Sequence, residues 1–314
     1  MADATCVIYN PAAGRGRAER LLQALPTSLA SGVELRPTSH ARHATELARL
    51  ACEQGFAKVV AAGGDGTVHE VANGVLQSER RDTVFSVWPL GSANDFAFTL
   101  GMKEWWSKRD QDAAKEVLEI DVGRVTTANR SVFFVCNLGV GFNGMVNGEA
   151  RKTRWLKGLP LYAWAFLKAL VKHFDKPLMT VSFDDGEVTT PTLALSVLNG
   201  QREGNFPLRP NASLTDGLFD YMHATRLTRL HLLRYLPAMV LGKLPENHKL
   251  LTLGRAGRIS VKCESPLCVH ADGEFVCVPG EGIKEVTVEV LPKRMKVEVF
   301  PPAIYGRFTT VVKS

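Results

Sequence analysis

Through the first hundred residues, short apolar runs alternate with stretches in which apolar residues recur every three or four positions. Cys6–Tyr9 reads as a strand, and Ala18, Leu21, Leu22 and Leu25 then fall on one helix face. Val33–Arg36 reads as a second strand, followed by Ala44, Leu47, Ala48 and Ala51 at helical spacing. Lys58–Ala62 and Val84–Trp88 are further strands. Val68, Val71, Ala72 and Val75 follow the first of them on one helix face; Ala93, Phe96, Ala97 and Leu100 follow the second. Repeated strand–helix units predict a parallel sheet with helices on both faces.

Beyond Glu119 the pattern changes. Val122–Val125, Val132–Leu138, Met179–Phe183, Leu193–Leu198, Leu218–His223, Ile259–Cys263, Leu267–Ala271, Phe275–Val278, Val286–Leu291 and Lys296–Phe300 read as strands. Tight turns such as Asp185-Gly186 and Asp272-Gly273 separate several of them. This half is predicted to be mostly antiparallel, a β-sandwich. Helical segments near 156–174 and 227–241 interrupt it, and Pro237 is expected to end or kink the second.

Three strand–helix junctions share one chemistry. Asn10-Pro11-Ala12-Ala13-Gly14-Arg15-Gly16, Gly63-Gly64-Asp65-Gly66-Thr67 and Pro89-Leu90-Gly91-Ser92-Ala93-Asn94-Asp95 each place glycine or small polar residues before a helix start. In a parallel sheet such junctions gather at the carboxyl ends of the strands, where ligands bind. Glycine admits a phosphate close to the backbone, and free N–H groups of a helix start hold its charge. Thr67-x-x-Glu70 fits a capping box with Thr67 as N-cap, and Ser92-x-x-Asp95 is a near match. Asp65, between two glycines, would repel a phosphate unless a divalent metal or a proton to be removed is present. With Asp95 and Asp121 near the same edge, the acids point to Mg²⁺ bound together with ATP. No Walker loop, dinucleotide fingerprint or protein-kinase HRD and DFG element occurs.

Gly63-Gly64-Asp65-Gly66-Thr67-Val68-His69-Glu70-Val71 resembles the nucleotide motif of the diacylglycerol kinase catalytic-domain family, which includes sphingosine and ceramide kinases and bacterial soluble lipid kinases. Pro89 to Ala97 resembles its PxGTxNDFA block, with Ser92 in place of threonine. Asn10-Pro11 with Gly14 and Gly16 resembles its first phosphate loop, and Ile120-Asp121-Val122-Gly123 the strand entering its second domain. Ser213-Leu214-Thr215-Asp216-Gly217-Leu218-Phe219-Asp220 resembles its DGLxD block, and Asp272-Gly273-Glu274 its late DGE. These motifs follow family order over nearly the whole chain.

The resemblance implies a Rossmann-like N-terminal ATP-binding domain over 1–120, of the type NAD kinases and diacylglycerol kinases share. It implies a C-terminal β-sandwich lipid-substrate domain over 121–299, with ATP in the cleft between the two. In many members the last strand, here 300–314, returns to the first domain. The implied activity is Mg²⁺-dependent transfer of the ATP γ-phosphate to a lipid hydroxyl. The alternatives are an NAD kinase-like nucleotide kinase, which the Asn94-Asp95-Phe96-Ala97 block fits less well, and a non-catalytic lipid- or nucleotide-binding module. Carried over, the family roles put Asn10, Thr38, Gly63, Gly64, Asp65, Gly66, Thr67, Val68, His69, Ser92, Asn94 and Asp95 around the nucleotide. Asp65, Asp95 and Asp121 hold a Mg²⁺–water network. Asp216, with the carbonyls of Ser213 and Leu218, holds a structural Mg²⁺. The proton of the lipid hydroxyl goes to Asp272 or Glu274, or to Asp65 as proposed for some relatives. The chain departs from many bacterial members at Gln201–Pro210, where a glycine run is usual; Arg202 and Arg209 there either read an anionic headgroup or face solvent.

Composition sets the context. Hydrophobic residues make up 45% and charged residues 22% of 314, an ordinary globular balance. The most apolar stretch, Leu159–Val171, is too short to span a bilayer and contains Lys168. No signal peptide is visible, and six scattered cysteines without a CxxC pair read as buried thiols of a cytosolic protein. Residues 151–176 carry seven Lys/Arg against the one acid Asp175, so that segment alone equals the formal net charge of +6. With Trp155, Tyr162, Trp164, Phe166 and Phe174 it is either a peripheral contact for an anionic membrane or a core-packed helix with a basic outer face. No nucleic-acid-binding signature accompanies the charge. The acceptor lipid and the oligomeric state, a homodimer among the options, stay open.

Overall fold

A computed structural model describes residues 4–11, 32–102, 116–153, 155–156, 158–244 and 249–299. The expected helix through Ala18–Leu25, the Ala12–Gly16 part of the first loop, and the return strand over 300–314 lie outside those residues. The chain divides into two compact units: the chain up to Ile120 with the segment from Lys293 onward, and Asp121–Pro292.

In the first unit β1 (Thr5–Tyr9), β2 (Val33–Pro37), α1 (His43–Glu53), β3 (Lys58–Gly63), α2 (Asp65–Gln77), β4 (Val84–Pro89) and α3 (Asp95–Thr99) alternate as the periodicity demands. The strands are parallel, in the order β2-β1-β3-β4. Their central residues, including Cys6, Val7, Ile8, Val59, Ala61 and Val87, are fully buried, as expected for a sheet covered on both faces.

In the second unit the strands are β5 (Glu116–Thr126, which starts in the first unit), β6 (Ser131–Phe134), β7 (Asn137–Gly141), β8 (Leu178–Phe183), β9 (Gly186–Leu198), β10 (Phe219–Thr225), β11 (Leu251–Ala256), β12 (Arg258–Cys263), β13 (Val269–Ala271), β14 (Glu274–Cys277) and β15 (Glu285–Val299). The helices are α4 (Phe142–Lys152), α5 (Gly158–Lys172) and α6 (Arg229–Leu241). The first half of β9 pairs with β8, its second half with β7 and β10, all antiparallel. One long strand thus serves both layers of a sandwich. Between the layers lies a core containing Phe134, Val140, Val181, Val197, Phe219, Val261 and Val288. A second core, with Phe142, Phe166, Leu170, Leu198, Phe206, Met222 and Leu232, joins α4, α5 and α6 to the outer face of one layer.

Several expectations are corrected. The run Val132–Leu138 is two strands, interrupted at Val135-Cys136 because the N–H groups there turn to the Asp272 carboxylate. Val286–Leu291 and the described part of the next run, Lys296–Val299, belong to one strand, β15, which passes through Lys293 in a left-handed conformation (φ 48°). Its Lys296 and Val297 lie parallel to Val84 and Phe85, adding a fifth strand to the first unit's sheet. There Glu298 accepts from Lys58 Nζ (2.5 Å) and Ser86 Oγ (2.7 Å). Helix α6 continues through Pro237 to Leu241; the ring sits on the exposed side. The sequence reading missed α4, whose apolar period is broken by Gly144 and Gly148, and β11.

Candidate phosphoryl-transfer residues

Because β1, β2, β3 and β4 are parallel, their carboxyl ends bring Asn10, Thr38, Gly63–Thr67 and Leu90–Asp95 to one edge of the sheet. Tyr9 accepts from Thr38 N (2.8 Å) and Gly63 from Leu90 N (2.9 Å), which ties the loops in pairs. Glycine is required here for a close approach of two chains. A Cβ on Gly91 would stand 2.4 Å from Gly64 Cα, and one on Gly63 would stand 2.4 Å from Thr67 Oγ1. Helix α2 starts behind Gly64, and among the described residues no side chain caps it. Its positive end therefore remains available to an anion.

The capping-box reading of Thr67 and Glu70 is overturned. Gly64 is the N-cap and Thr67 lies inside the helix. The Glu70 carboxylate instead accepts from Arg42 N (3.1 Å) and Ala44 N (3.3 Å), at the start of α1. The Ser92 near match is corrected likewise: α3 begins after Asn94, a left-handed N-cap (φ 55°). Its first N–H groups are held by Asp65, Oδ2 accepting from Asn94 N (2.9 Å) and Oδ1 from Asp95 N (2.8 Å). Asn94 closes its own loop on Gly91 with two 3.0 Å bonds. Asp65 thus has a structural duty that the motif alone does not disclose. Val68 and His69 turn inward: both are buried, Val68 N donates to Gly64 O, and the His69 carbonyl accepts from Asn73 Nδ2. Ser92 is exposed and Asp95 buried.

In the second unit Asp121 is buried, its Oδ2 accepting from Gly217 N (2.7 Å) and its N–H donating to Leu214 O (2.7 Å). It fastens the Ser213–Leu218 loop. Within that loop Asp216 Oδ1 accepts from Leu218 N (3.2 Å), while Oδ2 lies 3.5 Å from Arg255 Nη1. A cation already faces the carboxylate expected to hold a structural metal. Among the described residues, the one group of three His, Cys, Asp or Glu side chains close enough to share a bare ion is exposed His40, half-buried His43 and exposed Glu46.

Asp272 and Gly273 form the β13–β14 turn, both left-handed (φ 51° and 84°), as a tight hairpin requires. The buried Asp272 carboxylate accepts three backbone N–H groups, from Val135 (3.0 Å), Cys136 (2.8 Å) and Asn137 (3.1 Å). Glu274 is half-exposed and paired with Arg151 Nη2 (2.6 Å). Arg151 and Asn147 of α4 both donate to Gly273 O at 2.7 Å, and the Arg151 guanidinium lies over the Phe275 ring. Asn147 was missed because α4 was missed, and Arg151, counted in the basic segment 151–176, was not foreseen at this turn. His270 meets Glu203 (3.1 Å) in a buried cluster with Asn143, whose amide donates to Glu203 and Ser196. Arg209, half-buried, pairs with buried Asp220 at 2.7 Å.

The model of the diacylglycerol kinase catalytic domain matches residues 4–125, and that of the YegS C-terminal NAD kinase beta sandwich-like domain matches 136–299. A probable lipid kinase YegS-like of Chromohalobacter salexigens is 32% identical over 247 residues, 76% of each chain. The diacylglycerol kinase of Mycobacterium tuberculosis is 30% identical, over 87% of this chain and 90% of its own. That of Bacillus subtilis is 29% identical, over 88% and 91%. A solved structure of a putative diacylglycerol kinase from Bacillus anthracis shares the fold, with a TM-score of 0.76 at 21% identity over 96% of this chain and 98% of that one. With the glycine loops at one sheet edge and the acidic motifs in family order, these matches place the chain in the diacylglycerol kinase family of lipid kinases.

Proposed function

We propose that this protein transfers the γ-phosphoryl group of ATP to the hydroxyl of a diacylglycerol-like lipid alcohol, with Mg²⁺. The observation that carries the reading is the uncapped start of α2, flanked by two glycine loops in backbone contact, with carboxylates beside an anion cradle. Backbone N–H groups of Gly63–Thr67 would bind phosphate oxygens. In the first unit Asp65 and Asp95, and in the second Asp121, are the carboxylates suited to a metal's water shell. When bound, the metal offsets the negative charge that spreads over the transferring phosphoryl group.

Glu274 is favoured as the base. Asp65 and Asp272 are committed to backbone donors, two and three respectively, whereas Glu274 is half-exposed and pairs with a side chain, Arg151. The lipid oxygen attacks phosphorus, the bond to the ADP oxygen breaks, and the hydroxyl proton passes to Glu274.

The test is transfer of label from [γ-³²P]ATP to a panel of diacylglycerol, phosphatidylglycerol and a sphingoid base, with and without Mg²⁺. Wild type should label at least one lipid; Glu274→Gln should be about 10²- to 10⁴-fold slower, the usual worth of a general base. Labelling by Glu274→Gln at the wild-type rate would remove the assigned base. A wild type that labels NAD and no lipid would replace the reading with a nucleotide kinase.

A further inference from the structure

Two helices of the second unit are apolar on the side that faces water. The inner face of α5 is Ala165, Phe166, Ala169 and Leu170, all buried in the helical core. Its outer face, Pro160, Trp164, Leu167 and Val171, repeats at helical spacing and is exposed, Val171 to 75%. Helix α6 does the same with Leu230, Leu233, Pro237 and Leu241, Leu230 being 74% exposed. A helix apolar all round is one that is covered on all sides. The two stripes are neighbours where α5 ends and α6 begins: Arg229 Nε donates to Leu170 O (3.0 Å) and lies over Phe174, and Lys176 Nζ donates to Leu227 O (3.2 Å).

Charge selects what covers them. Neither α5 nor α6 contains a single Asp or Glu. Lys172, Arg226, Arg229, Arg234 and Lys243 are all exposed at or beside the stripes. The basic cluster is partly internal, since buried Glu149 takes Lys152 (3.1 Å), Lys168 (3.2 Å) and His173 (3.4 Å) as partners and pins α4 to α5. What remains outside, among the described residues, is an apolar surface with a mainly cationic rim, in which Asp175 at the end of α5 is the exposed acid. A protein partner would ordinarily find mixed charges there; a sheet of anionic headgroups over acyl chains matches both properties at once.

We infer that α5 and α6 form one platform that inserts its apolar stripes into an anionic phospholipid bilayer. The platform also holds the Gln201–Pro210 segment. A Cβ on Gly204 would meet the Tyr162 ring at 2.8 Å, one on Gly242 would meet Pro207 at 3.0 Å, and Phe206 and Leu208 share the helices' core. Its purpose, though not its existence, rests on the lipid-kinase reading: docking would bring this segment to a substrate that resides in the bilayer.

The test is flotation of the full chain, without nucleotide, on phosphatidylcholine vesicles with or without phosphatidylglycerol at 30 mol%, an amount on the order of natural anionic surfaces. Wild type should float with the anionic vesicles and little with the neutral ones. Leu230→Ser/Leu233→Ser and Val171→Ser should each weaken binding at least about tenfold, as removal of inserted apolar surface predicts. Lys172→Gln and Arg234→Gln should each weaken it about fivefold, and salt should weaken it further. All five sites are exposed, so melting temperatures should stay at the wild-type value. Equal binding to both vesicle types, or full binding by the serine variants, overturns the inference. So does a dimer in light scattering that the serine variants dissolve, because a second copy then covers the face. Phosphorylation of a short-chain, micelle-free lipid alcohol is measured in parallel. Transfer without vesicle binding defeats the platform alone; vesicle binding without transfer to any lipid defeats the kinase reading alone.

Discussion

Replacing Asp272 separates a structural clamp from a catalytic base. In Asp272→Ala three buried backbone donors, on Val135, Cys136 and Asn137, lose their acceptors at once. Each orphaned buried N–H costs about 1–3 kcal/mol, and alanine at a left-handed position adds about 1–2 kcal/mol. Allowing for local relaxation that admits water, the loss should be about 4–5 kcal/mol, a large part of a domain's typical stability. Asparagine tolerates the left-handed backbone and keeps one oxygen for Cys136 and Asn137, both bonded to Oδ1; only the Val135 donor is stranded. Asp272→Asn should therefore cost about 2 kcal/mol. Glu274→Gln lies outside the clamp and should change stability by less than about 0.5 kcal/mol, while phosphoryl transfer collapses. Urea titration followed by tryptophan fluorescence and circular dichroism, with the slope held against wild type, gives all three values. An Asp272→Ala protein within about 1 kcal/mol of wild type would refute the clamp, and with it the reason for setting Asp272 aside as the base.

Four further outcomes rest on other contacts. Asp65→Ala should lower the stability of the first unit by about 2–3 kcal/mol even without nucleotide, since α3 loses both charge-assisted donors' acceptor; an unchanged melt would mean that Asp65 serves chemistry alone. Glu70→Ala should cost about 1 kcal/mol by freeing the start of α1, and a calorimetric melt at the wild-type value would remove Glu70 as the cap of that helix. Burial pushes His223 down from 6.5 to about 4, so the folded protein keeps it neutral where the unfolded chain would protonate it. Its contribution is complete above pH 6.5 and is lost as pH falls towards 4, about 3 kcal/mol in all. His223→Gln, able to keep a bond to Thr192, should flatten that part of a stability–pH curve; an unflattened curve would point to another group. For Glu149, burial alone would raise the carboxyl, but Lys152, Lys168 and His173 override it and hold it at about 2; the stability it supplies is present above its ordinary 4.5 and fades only below that, a separate acid limb.

Much of the first unit could be read directly. Apolar spacing alone placed β1 to β4 with α1 and α2 because each element packs its own repeat against one parallel sheet. The glycine loops were legible as junctions that share one sheet edge, because repeated strand–helix units force the strands parallel and their carboxyl ends together. Local signals failed where partners are distant in sequence. Nothing near Glu70 says that it caps α1, since Arg42 and Ala44 stand at the far end of another helix. Nothing in Val132–Leu138 says that the strand breaks, because the carboxylate that breaks it comes from Asp272. The missed α4 carries Asn147 and Arg151, which hold the very turn the late DGE motif names.

By itself, then, the order of residues determined the parallel sheet, the antiparallel half and the family motifs, all of which depend on spacing along the chain. Tertiary structure alone decided what each acid does. A carboxylate's role depends on which donors surround it. Those donors belong to backbone brought from elsewhere by the fold: Asn94 and Asp95 for Asp65, Gly217 for Asp121, and Val135 to Asn137 for Asp272.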